Sequence, residues 1–292
     1  MKNVLKTVCT LCLVFSLFIV IGCKRAQDGE TSPEKGVVGY ITVKGSDTMV
    51  HLTSIWAEEF MKSHSNAEVS VTGGGSGTGI AALINGTTDI CAASRPMMEK
   101  EKQLATEKGV HPKEFVVGKD GIAIIVHPEN TVSTLTLRQL KRIFTGAVEN
   151  WKEVGGKDQP ILVFSRESSS GTYVFFQEHV LGKVDYTQAA RLLPGTSALV
   201  QAVSADGGSI GYVGLGFAEH GEGVKTVMVA VDEQSEPVLP SEETVRSGLY
   251  PIARPLYLYT KGSPSGLVKE FIDFSLSSKG QQIVKENGYV PL

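Results

Sequence analysis

Gly45-Ser46-Asp47-Thr48, Gly75-Ser76-Gly77-Thr78 and Ser168-Ser169-Ser170-Gly171-Thr172 share one composition: small residues, hydroxyls and glycine. Each follows an apolar stretch that reads as a strand and precedes one that reads as a helix. The first turns of a helix leave backbone N–H groups unpaired and carry a partial positive charge. Hydroxyls and glycines placed there can cap the helix or leave those donors for an anion. One such turn alone is most simply an N-cap. Three in one chain, with Arg166 just before the third, point to convergence on a shared anion. In open α/β sheets such turns lie beyond the carboxyl ends of the strands, where ligands bind.

Other chemistries find little support. No lysine follows the glycines as a P-loop requires, and GxGxxG is absent around Gly73–Gly79. Gly207-Gly208-Ser209-Ile210-Gly211 matches GxSxG, but a helix precedes it and a strand follows, the reverse of a nucleophile elbow, so Ser209 reads as a turn residue. The six histidines (51, 64, 111, 127, 179 and 220) are scattered without paired ligand spacing, so no metal and no cofactor are expected. There is no basic run interleaved with aromatics, which argues against nucleic acid.

The elements that must hold these turns alternate along the chain. "GYITVKG" and "AEVSVTG" read as strands, and between them Met49, Leu52, Ile55, Trp56 and Phe60 mark one face of an amphipathic helix. "GIAALING" reads as a helix closed by Gly86, and "TDICAAS" as a strand. "RPMMEKEKQLATEKG" opens another helix with Pro96 near its first turn. The fold class is therefore α/β. Two long extended stretches, near Lys119–Val126 and Ile252–Tyr259, stand apart from this alternation.

The N-terminus reads as a separate unit. Lys2 and Lys6 precede an apolar run from Val8 to Ile21, too short for a comfortable membrane span. It ends in Val20-Ile21-Gly22-Cys23, which looks like a bacterial lipobox: a leader over residues 1–22, then a lipidated Cys23. An uncleaved anchor is the alternative, and either places the body outside the cytoplasmic membrane. Residues 23–36 read as a polar tether. Cys9 and Cys12 leave with the leader, so Cys91, in the apolar "DICAAS", is expected as a buried thiol without a disulfide. Without Lys2 and Lys6 the 28 basic residues become 26 against 31 acidic ones. An anion must then be held by local dipoles and a few placed cations rather than by overall charge.

"KGSDTM", "GGGSGTGI", "TTDICAASRP", "IFTGAVENW", "FSRESSSGTYVFF" and "GSIGYVGL", in this order from about Tyr40 onward, resemble the PstS-type phosphate-binding proteins, receptors of phosphate ABC transporters. The resemblance implies a type II periplasmic-binding-protein fold, two α/β lobes joined by two crossover strands with the ligand in the cleft. It implies lobe I over residues 37–120 and 253–292, and lobe II over 121–252. It carries phosphate contacts onto Thr48, the Met49 N–H, Ser76, Arg166, Ser170, Gly171 and Thr172, with Ser46, Gly77 and Thr78 as further candidates. Well-known members hold the phosphate proton on an aspartate; by register that place is Ser94 here, so Asp47 could supply the carboxylate. Arg95 could add a second cation or form an ion pair on the rim. The implied protein is a monomeric, lipid-anchored receptor that is no enzyme and delivers phosphate to permease subunits. Receptors for sulfate or molybdate, and an extracytoplasmic phosphoesterase or serine hydrolase, are the rivals.

Overall fold

A computed structural model describes residues 39–292 except His220. The leader, Cys23 and the tether lie outside the described residues. The chain opens with β1 (Gly39–Gly45), α1 (Val50–Ser63), β2 (Ala67–Thr72), α2 (Ser76–Asn85), β3 (Ile90–Ala93) and α3 (Glu99–Glu107). A long strand, β4 (Lys113–Val126), leads to β5 (Thr134–Thr136), α4 (Leu137–Phe144), β6 (Leu162–Arg166) and α5 (Gly171–His179). Then come β7 (Arg191–Leu193), α6 (Thr196–Ser204), β8 (Ser209–Gly214), α7 (Leu215–Glu219), β9 (Lys225–Ala230) and α8 (Glu242–Arg246). β10 (Ala253–Thr260), α9 (Gly266–Leu276) and α10 (Ser278–Glu286) close it.

β1 pairs in parallel with β2 and β3, and β10 runs antiparallel between β3 and β4. Beyond Gly121, β4 changes neighbours and pairs antiparallel with β8 and β9. β6 continues in parallel beside β8 and β7. The change of partners coincides with a change of core. Val117 packs with Ile41, Trp56, Phe60, Leu256 and Leu258, whereas Ile122 and Ile124 pack with Phe144, Phe176, Tyr212 and Ile252. Each of the two extended stretches singled out in the sequence therefore passes from one core to the other. The alternating apolar runs explain this, because a strand passing between two cores must bury side chains against both.

The helix face expected on α1 is observed: Met49, Leu52, Trp56 and Phe60 are fully buried, and Ile55 packs against them partly buried. One boundary differs. Pro96 stands before α3 rather than in its first turn, because the Glu101 side chain accepts from Met98 N at 2.8 Å and starts the helix there. β5, β7, α7 and α8 escape a periodicity reading because each is short, and β9 escapes it as well.

Cys91 lies between α2 and β10 and is fully buried. Burial pushes its thiol well above its ordinary value, so little thiolate forms at neutral pH. We expect Cys91 to resist alkylation at pH 8 in the folded protein and to react once urea unfolds it. Labelling of the folded protein at the rate of a free thiol, followed on the Cys91 peptide by mass spectrometry, would contradict the packing.

Candidate functional site

The turns after β1, β2, β3 and β6 meet at one place. The Ser46 hydroxyl donates to Ser94 Oγ at 3.0 Å, and Ser94 Oγ lies 3.3 Å from Ser76 Oγ. The Ser94 N–H donates to Ser76 Oγ at 3.0 Å. Beside this trio, the hydroxyls of Thr48 and Thr172 are 2.9 Å apart. All five residues are buried. Thr48 and Thr172 are distant in sequence and come from elements packed on different cores, so this contact joins the two halves of the chain.

Glycine makes the approach possible. A Cβ on Gly171 would overlap Ser76 Oγ and sit 2.7 Å from Ser94 Oγ, so only hydrogen fits where the start of α5 faces the serines. Gly75 has a φ of 91°, and a Cβ there would meet Ser169 O at 2.5 Å. The backbone joins the same turns, since Gly77 N donates to Ser169 O at 2.9 Å. No side chain caps α2. Ser170, by contrast, caps α5: its Oγ accepts from Thr172 N at 3.2 Å and Tyr173 N at 3.4 Å. Met49 is fully buried at the start of α1, where its N–H donates to Ser46 O at 3.0 Å. Thr78 sits in the first turn of α2 with its methyl group near Gly74.

Three buried arginines surround these turns, and each meets a carboxylate. Arg95 forks onto Glu101 at 2.8 and 2.7 Å and donates to Pro96 O, so it forms the ion pair of its two expected roles. Arg166 donates to Asp47 Oδ2 at 2.6 Å, Pro194 O at 2.7 Å, Thr196 Oγ1 at 2.8 Å and Leu193 O at 3.2 Å. Those bonds engage four of the five N–H groups of its guanidinium, leaving one on Nη1. A fork onto two anion oxygens therefore requires one of these bonds to be shared or released. Asp47 turns its other oxygen to Gly74 N at 2.9 Å. Its carboxylate is thus tied to Arg166 and a backbone N–H.

The third pair was not anticipated. Arg254 donates to Asp120 Oδ2 through Nε at 3.2 Å and Nη2 at 2.9 Å, and Nη2 also donates to Thr172 Oγ1 at 2.9 Å. Asp120 Oδ1 accepts from Leu215 N at 3.0 Å. The available signal was a charge inside each extended apolar stretch, Asp120 in "GKDGIAIIV" and Arg254 in "PIARPLYLY". Thr196 and the Leu193 and Pro194 carbonyls were also missed; loop carbonyls leave no trace in residue type.

Ser209 is fully buried at the start of β8, its hydroxyl donating to Val203 O at 2.9 Å and to Asp206 O. It is the first residue of a strand rather than the turn residue expected, although the helix-before, strand-after order read from the sequence is observed. Among the described residues no three His, Cys, Asp or Glu side chains gather as a metal site, and no helix is long and apolar enough to cross a membrane. A cavity of about 530 Å³, lined by His51, Ser197, Gln201, Asn287 and Tyr289 among others, lies near the cluster but does not include it. Tyr289 separates the two, donating its hydroxyl to Thr48 O.

Arg166→Ala would leave Asp47 without its cation and three acceptors without a donor. Because Asp47 is partly exposed, we expect a loss of about 1–3 kcal/mol, below the range for a fully buried pair. Urea unfolding measures it, and an unchanged midpoint would contradict the role of Arg166 in holding the Leu193–Thr196 segment.

Comparison with known proteins identifies the family. The PBP superfamily domain matches residues 30–279. Phosphate-binding protein PstS of Pseudomonas aeruginosa is 34% identical over 280 residues, spanning 90% of this chain and 86% of its own. That of Staphylococcus haemolyticus is 34% identical over 262 residues, spanning 88% and 82%. A Clostridium perfringens protein, assigned as a phosphate ABC transporter substrate-binding protein and solved with bound phosphate, superposes with a TM-score of 0.79 at 32% identity, covering 87% of this chain and 100% of that one. An ABC-type phosphate transport receptor from Vibrio cholerae gives 0.70 at 30% identity, covering 86% and 100%. Fold, ordered turns and relatives agree, and the chain belongs to the PBP superfamily and, within it, to the PstS-type phosphate-binding proteins.

Proposed function

We propose that this protein captures inorganic phosphate outside the cytoplasmic membrane and delivers it to the permease of an ABC transporter. The observation that carries this reading is the meeting of Ser46, Ser76, Ser94, Thr48 and Thr172 hydroxyls against Gly171, at the ends of four strands. Donors converging there can replace the hydration of an oxyanion. Phosphate contacts fall to Thr48, Ser76, Ser94, Ser170, Gly171 and Thr172, with the remaining N–H of Arg166 and the Met49 N–H once its bond to Ser46 O is shared or released. The protein performs no chemistry on its ligand. The relatives, named as phosphate-binding and transport-receptor proteins, support the same assignment.

The two cores correspond to lobes, residues 37–120 with 253–292 and residues 121–252, and closure brings Thr48 against Thr172. The lipid on Cys23 and the tether over residues 24–36 keep the monomeric receptor at the membrane. Ser94 at the centre of the cluster is neutral, and Asp47, whose carboxylate is shared by Arg166 and Gly74 N, is the carboxylate we assign to the phosphate proton. A carboxylate facing the ligand favours a protonated anion over sulfate, because two acceptors cannot pair.

Calorimetric titration of desalted protein with phosphate, sulfate and molybdate tests the reading. Tight phosphate binding without competition from sulfate is expected, and equal or tighter sulfate binding would overturn it. Gly171→Ala should weaken phosphate binding by about a hundredfold, since the new methyl occupies the meeting point of the turns and costs about 1–3 kcal/mol in overpacking. Unchanged affinity in that variant would place the ligand elsewhere.

A further inference from the structure

Asp120 and Arg254 face each other in the register of β4 and β10, the two strands that pass between the cores. Both are buried, and burial pushes the Asp120 carboxyl up and the Arg254 guanidinium down, each opposed by its partner's charge. An ion pair in such a place is weak support for stability, because apolar side chains of similar volume often serve as well. This pair does more than join two strands. Its Nη2 reaches Thr172 Oγ1 at 2.9 Å, and Thr172 Oγ1 in turn lies 2.9 Å from Thr48 Oγ1. Among the described residues Nη1 finds no hydrogen-bond acceptor, and the guanidinium carbon lies 5.5 Å from the centroid of the Phe175 ring.

We propose that Arg254 is a positioning residue of the anion site, acting through Thr172. The proposal rests on the phosphate-binding reading above. A hydroxyl has one hydrogen and two lone pairs. When a guanidinium N–H occupies one lone pair of Thr172 Oγ1, the hydroxyl hydrogen points away from Arg254 and is available to an anion on the far side, while the second lone pair can still accept from Thr48. Arg254 thereby biases Thr172 toward donating to the anion, and its charge strengthens the bond donated. Asp120 sets the other half of the device. By taking Nε and Nη2 it neutralises Arg254 and holds it against β4, so the cation polarises Thr172 without clamping the anion itself.

The two members of the pair thus act on the ligand with opposite signs although both support the fold. Asp120→Asn keeps an acceptor for Arg254 but removes the compensating charge, so phosphate should bind at least as tightly as to the unaltered protein. Adding Arg254→Met to Asp120→Asn gives a neutral pair without a buried lone carboxylate, and should weaken phosphate binding by about tenfold or more. In a Thr172→Val background the same Arg254 change should alter affinity by less than about twofold, because coupled residues are not additive.

The experiment is calorimetry with inorganic phosphate on these full-length variants, with urea unfolding of each. A merely structural pair would weaken affinity and stability together in both Asp120 and Arg254 variants. That parallel loss would overturn the proposal, as would a tenfold loss from Arg254→Met that persists in the Thr172→Val background. Should the neutral pair fail to fold, Arg254→Lys takes its place: it keeps the charge but offers a single donor centre, and unchanged stability with affinity weakened through Thr172 is the expected result. If the unaltered protein binds no phosphate, the proposed function falls and this inference with it; if it binds and only the Arg254 results fail, the function stands.

Discussion

Every buried arginine around the cluster is already matched by a carboxylate: Arg95 by Glu101, Arg166 by Asp47, Arg254 by Asp120. That pairing is the constraint on which the rest depends. The chain carries more acidic than basic residues, so no general positive field draws an anion in. Within the site the formal charges of these pairs cancel as well. An oxyanion there must be held by directed groups, meaning hydroxyl hydrogens, backbone N–H groups and helix starts. The arginines shape this array more than they supply net charge.

The fold follows from that requirement. Directed donors are useful only if their positions are held closely, and strand ends provide such positions: β1, β3 and β6 are each held by a ladder on both sides, and the edge strand β2 by its ladder with β1. Four turns at the ends of β1, β2, β3 and β6 supply the side chains, and Gly171 lets them approach within bonding distance. β4 and β10 then link the two cores through adjacent, paired strands. These two strands are long, and both are largely buried where they pass from one core to the other. The Asp47–Arg166 pair, the Thr48–Thr172 contact and the Gly77 N–Ser169 O bond are among those that join the turns of the two halves.

Much of this was legible in the sequence for a physical reason. Turns rich in serine, threonine and glycine between a strand and a helix have few uses, and their repetition restricts them further. The buried face of α1 was legible because its period matches a helix packed on one side. Partners were not legible. Arg166 reads as a ligand-binding cation, yet its bonds to Asp47, Thr196 and two carbonyls depend on residues brought beside it only by folding. Asp120 and Arg254 are separated by much of the chain, and only the register of β4 against β10 reveals them as a pair. Of the two roles open to Arg95, the ion pair is observed, and it depends on the position of Glu101 in the first turn of α3.

The most direct measurement is a crystal structure of the protein grown with phosphate. Its oxygens should lie within hydrogen-bonding distance of Thr48, Ser76, Ser94 and the Ser170–Thr172 turn, with the Arg166–Asp47 and Arg254–Asp120 pairs still formed. Phosphate lodged in the cavity beside Tyr289, or held by arginines that have abandoned their carboxylates, would contradict the claim that directed donors rather than net charge hold the anion.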